Sequence, residues 1–155
     1  MNSDLKTKAN IKQAVPFFAV SSMEDTLRFY VDGLGFEMTH KWIPNNKIEW
    51  CWLQRGGGAI MLQEFRKEGP NARIFEAKLG EGVSICFICD HEFISKGLKV
   101  SEPFVGNGMW VIGLSDPDGY KLNFESYTDV PEETRYTDWK NSQSYKKIIV
   151  HEEFY

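Results

Sequence analysis

The sequence predicts an α+β fold made of two βαβββ modules, and three observations predict it. A strand-then-helix pattern begins near Val15, a stretch rich in charge, Gly and Pro interrupts the periodicity from Phe65 to Gly82, and the same order of elements starts again at Val83. At 155 residues the chain suits one domain, which would bury roughly 70% of its unfolded surface without disulfide staples. Its 42% hydrophobic and 26% charged residues exclude a disordered or fibrous class.

In the first module, Val15 to Val20 is a short apolar strand. Ser22 is placed to cap a helix, with Asp25 three residues on. Met23, Leu27, Tyr30 and Val31 recur at helical spacing, and Gly33 and Gly35 end the helix where a left-handed backbone is needed. Phe36 to Ile43, Lys47 to Arg55 and Ala59 to Glu64 read as strands, separated by Pro44-Asn45-Asn46 and by Gly56-Gly57-Gly58. Residues 65 to 82 read as a connector.

The second module repeats the order: a strand from Val83 to Cys89, a short helical stretch from His91 to Gly97, and strands at Leu98 to Glu102, Met109 to Ser115 and Lys121 to Ser126. Its helix has room for only about two turns at 1.5 Å per residue, so either its sheet is thinly covered or another segment covers it. In the aromatic-rich tail from Tyr127 to Tyr155, Asp129 and the following Pro131 suit a helix start. Tyr136, Trp139, Tyr145, Phe154 and Tyr155 are costly to leave in water, and part of the tail is expected to pack on the domain or on a second chain.

The charge pattern removes some functions. A net charge of −4 and a pI near 5.4 supply no basic stripe for nucleic acid. No apolar run approaches the roughly 20 residues that span a bilayer, and the polar segment 1 to 13 lacks the apolar core of a signal peptide, so a cytoplasmic protein without a membrane partner is expected. Cys86 and Cys89 spell C-x-x-C, but three residues along a strand they point to opposite faces, which argues against a metal or redox pair and for small buried thiols. His40, His91 and His151 fall in no metal-ligand spacing, no nucleophile–histidine set can be assigned, and Gly56-Gly57-Gly58 lacks the Lys-Ser/Thr of a phosphate loop.

Two stretches carry a family resemblance. Val20-Ser21-Ser22-Met23-Glu24-Asp25-Thr26-Leu27-Arg28-Phe29-Tyr30, running into Gly33-Leu34-Gly35-Phe36, and Asp116-Pro117-Asp118-Gly119-Tyr120 resemble the signatures of the glyoxalase/bleomycin-resistance (vicinal oxygen chelate) superfamily. The resemblance covers about residues 14 to 126 and implies one domain of that type, with modules 14–65 and 82–126 and a concave mixed-sheet cleft. Neither motif is catalytic. Phe29 and Tyr30 anchor the helix, and Asp-Pro-Asp-Gly makes a tight turn.

Metal-binding members of the superfamily use His, Gln or Glu on four strands. Offsets from the motifs place those positions here on Val15, Met61, Val83 and Asn123, and valine and methionine offer no hard donor. Sliding two strands by two residues would bring in Gln63 and Glu125, two ligands at most. No metal and no other cofactor is therefore expected.

Alternate positions would line the cleft with Val15, Phe17 and Ala19, with Ala59, Met61 and Gln63, with Val83, Ile85 and Phe87, and with Lys121, Asn123 and Glu125. Trp50, Trp52 and Trp110 are candidates for stacking on a planar ligand, although strand parity leaves open whether Trp50 and Trp52 or Cys51 and Leu53 face inward. Trp50-Cys51-Trp52-Leu53-Gln54-Arg55-Gly56 and Met61-Leu62-Gln63-Glu64-Phe65 resemble bleomycin-resistance strands, and the resemblance implies a homodimer that sequesters a small, partly aromatic molecule. The expected function is metal-independent binding of such a molecule. The alternatives are an enzyme, either a glyoxalase-like lyase or isomerase with a degenerate site or a metal-free catalyst using Glu125 as general base beside Lys121, and an interaction domain that dimerises through its tail.

Overall fold

The computed structural model describes residues 11–70, 72–90 and 97–142. Within them the chain forms β1 (Phe17–Val20), α1 (Met23–Leu27), β2 (Glu37–Trp42), β3 (Trp50–Arg55), β4 (Gly58–Glu64), β5 (Ser84–Ile88), β6 (Phe104–Gly106), β7 (Met109–Ser115), β8 (Lys121–Tyr127) and α2 (Tyr136–Ser142). The strands make two four-stranded sheets ordered β1-β4-β3-β2 and β5-β8-β7-β6, the same order in both halves. In each, the first strand runs parallel to the last and the other pairs are antiparallel. The α+β class and the two-module plan read from the sequence are those of the structure.

Local chemistry explains α1. The Ser22 hydroxyl accepts from the Asp25 amide at 3.3 Å, as its cap position requires. The helix then widens into a π-helical turn over Arg28–Gly33. Gly35 closes it at φ 72°, a conformation that costs an L side chain more than glycine. Gly33 plays a different part from the one its spacing suggests: its φ is not positive, and a Cβ there would stand 2.8 Å from Leu98 Cδ1, so its bare backbone lets the second module approach.

Two expectations fail in the second half. Leu98 to Glu102 forms no strand, although the Ser101 amide bonds the Gly113 carbonyl at 2.7 Å; the strand is Phe104–Gly106, beyond Pro103. Gly106 pairs with Met109 across Asn107 and Gly108, at φ 54° and 70°, and Asn-Gly is the residue pair that such a tight hairpin turn prefers. The tail helix begins at Tyr136 rather than Asp129, because residues 133 to 136 extend along the free edge of β6. Glu133 N donates to Val105 O, Val105 N to Thr134 O and Tyr136 N to Pro103 O, each at 2.9 Å. That pairing occupies an edge otherwise open to other chains.

Trp139 and Tyr136 then pack on Trp110, with ring centroids 5.7 Å and 5.9 Å from it. A tail segment thus covers one end of the second sheet. The short helix expected at His91 to Gly97 lies outside the described residues except for Gly97, as do His151, Tyr145, Phe154 and Tyr155.

One core joins the two sheets. Phe18, Val20, Cys51, Leu53, Ile60 and Leu62 from the first sheet share it with Leu114, Leu122 and Phe124 from the second, and with Met23, Tyr30, Leu34 and Phe36 from the α1 region. Phe36 and Phe87 meet edge to face at 5.7 Å, and Phe18 stacks on Tyr120 at 4.0 Å. The two resemblance motifs meet in this seam: buried Tyr30 donates its hydroxyl to Asp116 Oδ2 at 3.1 Å. The Tyr120 hydroxyl donates to Ala19 O at 3.1 Å, and the Ser21 amide to Asp118 Oδ2 at 3.0 Å. Tyr30, read from the sequence as an anchor of its own helix, therefore also binds one module to the other.

Candidate functional site

Strand parity settles which side chains are available for binding. Cys51 and Leu53 point into the core, so Trp50 and Trp52 lie on the free face of the first sheet. Register lines them up with their neighbours: Phe17, Met61, Trp52 and His40 form one row across β1, β4, β3 and β2, and Ala19, Gln63, Trp50 and Trp42 form the next. The Trp52 indole N–H is already held by Gln54 Oε1 at 3.2 Å. Phe17 and Trp42 are 55% and 50% exposed, which is unusual for rings of this size and marks a surface that a partner or ligand can cover.

A pocket of about 520 Å³ opens at the end of these rows, within the range that holds drug-sized molecules. Phe17, Ala19, Trp42 and Phe65 form its apolar wall, and Glu49, Gln63, Glu64, Arg66 and Arg73 supply polar groups. Glu64 sits at the end of β4, where it accepts the Met23 amide at 2.8 Å and pairs with Lys47. Glu49 pairs with Arg66 at 3.3 Å. The connector read as mere linkage thus builds one side of the pocket. Arg66 and Arg73 are brought together by the bond from Arg73 N to Arg66 O at 2.8 Å, and Phe65 is braced by Phe75 at 4.9 Å.

The ten residues singled out from the sequence fall in four places. Phe17, Trp50, Trp52, Met61 and Gln63 share the free face of the first sheet. Lys121, Asn123 and Glu125 share the free face of the second, opposite Ser84, Cys86 and Ile88. Phe87 is turned into the core and stacks on Phe124 at 5.1 Å, while Trp110 packs against the tail. Grouping Val83, Ile85 and Phe87 with Lys121, Asn123 and Glu125 on one face is therefore incorrect: the β5–β8 register pairs Ile85 with Leu122 and Phe87 with Phe124. Trp42, Glu49, Glu64, Phe65, Arg66 and Arg73 were not singled out, and only Trp42, one strand over from Trp50 and at the same parity, carried a sequence signal.

Around Glu125 the chemistry is sparse. Asn123 Nδ2 approaches Cys86 Sγ at 3.8 Å. Desolvation against the sheet, and then the Glu125 carboxylate, push the Cys86 thiol above its ordinary range, so it stays protonated at neutral pH. Contrary to the expectation of buried thiols, Cys86 is exposed, Cys89 is half-buried, and only Cys51 is buried, with its thiol pushed up to about 11 by burial.

The donors at the superfamily's metal positions do not fit a divalent ion. Val15, Met61 and Val83 offer no hard donor, and within one chain Gln63 lies on the free face of a different sheet from Asn123 and Glu125. Among the described residues no three His, Cys, Asp or Glu side chains converge on a point that could hold a metal. No helix among them is long and apolar enough to cross a membrane.

Two mixed sheets of this order match the glyoxalase/bleomycin-resistance class of fold. The structure is similar to a bleomycin-binding protein complexed with bleomycin (TM-score 0.51, 22% identity, covering 76% of this chain and 100% of that one). It is also similar to TioX from Micromonospora sp. ML1 (TM-score 0.56, 14% identity, 76% and 99% covered) and to a glyoxalase family protein from Bacillus anthracis (TM-score 0.51, 18% identity, 78% and 100% covered). No protein-family model and no curated protein matches the sequence. At these identities the likeness establishes the fold, and a fold hosts many functions.

Proposed function

We propose that this chain is a metal-independent binding protein that holds a partly aromatic organic molecule on the free face of its first sheet. The observation that carries the reading is the pocket of about 520 Å³ walled by Phe17, Trp42 and Phe65. Exposed rings beside a few convergent polar groups are the composition of a ligand site. Trp50, Trp52 and Met61 extend the same surface. That one structural neighbour is a bleomycin-binding protein supports small-molecule binding as the use of this fold.

We further propose a homodimer. The core faces of both sheets are spent on each other, so their free faces look outward and carry exposed Phe17, Trp42 and Ile88. A second copy, its second sheet laid over the first sheet of its partner, would cover these side chains and bring Lys121, Asn123 and Glu125 over the aromatic rows. Light scattering should then give twice the 17.9 kDa chain mass, and a mass of one chain at micromolar concentration would sink the dimer.

The binding reading is tested by calorimetric titration with naphthylethanol, a neutral bicyclic aromatic, with and without EDTA. Saturable binding unchanged by the chelator is expected. Phe17→Ala should weaken it about 10-fold or more, from the loss of buried apolar area, whereas Trp110→Ala, whose ring is engaged with the tail, should leave it unchanged. Heat that vanishes with EDTA, or affinity that follows Trp110 instead of Phe17, would contradict the reading.

A further inference from the structure

We infer that the pocket selects an anionic ligand: an aromatic body carrying a carboxylate or a comparable acidic group, met by Arg73. This rests on the binding reading above and adds the charge of the molecule to it. The pocket contains two carboxylates and two guanidiniums, but they are not equally engaged. Glu49 is committed to Arg66, and Glu64 to Lys47 and to the Met23 amide. Both acidic groups therefore meet a ligand already neutralised. Arg73 lines the same pocket, and its side chain makes no hydrogen bond or ion pair among the described residues.

Its neighbours hold it there. The backbone bond from Arg73 N to Arg66 O and that from Ala72 N to Gly69 O, at 3.0 Å, shape the connector where Arg73 lines the same pocket as the rings. A guanidinium offers a planar fork of donors that matches a carboxylate in two parallel bonds, and it does so beside an apolar wall that thins the screening water. The protein as a whole is acidic, with a net charge of −4, so a surplus cation at an aromatic pocket is a local departure from the chain's own balance. A cationic guest would find both carboxylates of the pocket lining occupied and Arg73 repelling it.

A charge series on one ring system tests this: naphthylacetate, naphthylethanol and naphthylethylamine, titrated calorimetrically into the full-length protein and its Arg73→Gln and Arg135→Gln variants. The anion is expected to bind about 10-fold or more tightly than the alcohol, the ammonium to bind most weakly, and the preference to shrink as salt is raised. Arg73→Gln should erase the preference while leaving the alcohol's affinity in place, and Arg135→Gln, which removes the same charge at an ion pair with Glu102 outside the pocket, should retain it. Equal affinities across the series, tighter binding of the ammonium, or a preference that survives Arg73→Gln would overturn the inference while the binding site stands. If none of the three binds, the binding reading fails and the inference fails with it.

Discussion

From pH 4 to pH 7 the protein is expected to lose on the order of 3 kcal/mol more stability than its Asp116→Asn variant. Asp116 is 5% exposed, and burial pushes its carboxyl from 3.8 up to about 6 even though Tyr30, Asp118 and Tyr120 all donate hydrogen bonds to it. The folded state therefore binds a proton more tightly than the unfolded chain does. Stability from this group is fully present below the unfolded value near 4 and is lost as pH rises through about 6, because the native state must then hold a buried charge or release it by unfolding. Urea unfolding of both proteins across this range measures the difference. Parallel stability curves would show that the hydrogen bonds, not desolvation, set the proton affinity of Asp116.

The second large effect belongs to the other end of the same contact. Tyr30→Phe keeps the ring's shape in a site with no exposed surface but removes the donor to Asp116 Oδ2, and is expected to cost about 1–3 kcal/mol at neutral pH, where that oxygen carries charge. At pH 4 the cost should shrink, since a protonated Asp116 is easier to leave without this partner. Burial, followed by the Asp116 charge, holds the Tyr30 phenol far above its ordinary range, so it acts only as a donor throughout. A cost independent of pH would mean that the hydroxyl packs without bonding. Asp116 in the double variant with Tyr30→Phe should show non-additive losses, as residues in one hydrogen bond do.

These two residues also show how much the sequence could disclose. Tyr30 and Asp116 lie in the two stretches that carry the family resemblance, and each was legible as a local device, a helix anchor and a turn former. Their meeting was not, because 86 residues separate them and no local pattern encodes the pairing. The first module was read closely where Ser22 and Gly35 are local signals of capping and turning, but the alternation of Cys51 and Leu53 with Trp50 and Trp52 left their facing open until burial assigned Cys51 and Leu53 to the core. In the second module Asn107-Gly108 marked a hairpin that the apolar run at Leu98 to Val100 obscured. Parity within β5 and within β8 was readable, but which position of one lies beside which position of the other depends on register, and this put Phe87 on the wrong face.

The candidate site was half legible for a similar reason. Alternation along β1 and β4 found Phe17, Met61 and Gln63 on one face, where the structure places them. Glu49 and Glu64 are held by pairings across the end of the sheet, and Arg66 and Arg73 come from a connector without periodicity, so hydrophobic patterning carried no information about them. What the connector adds is the charge of the pocket, and with it the selectivity inferred for Arg73.

The most direct measurement of the central claim is a crystal structure of the full chain grown with naphthylacetate in the presence of EDTA. The ring should lie among Phe17, Trp42 and Phe65, its carboxylate turned toward Arg73, with no metal between ligand and protein. A naphthyl ring found elsewhere on the molecule, or bound only when a divalent ion is restored, would contradict it.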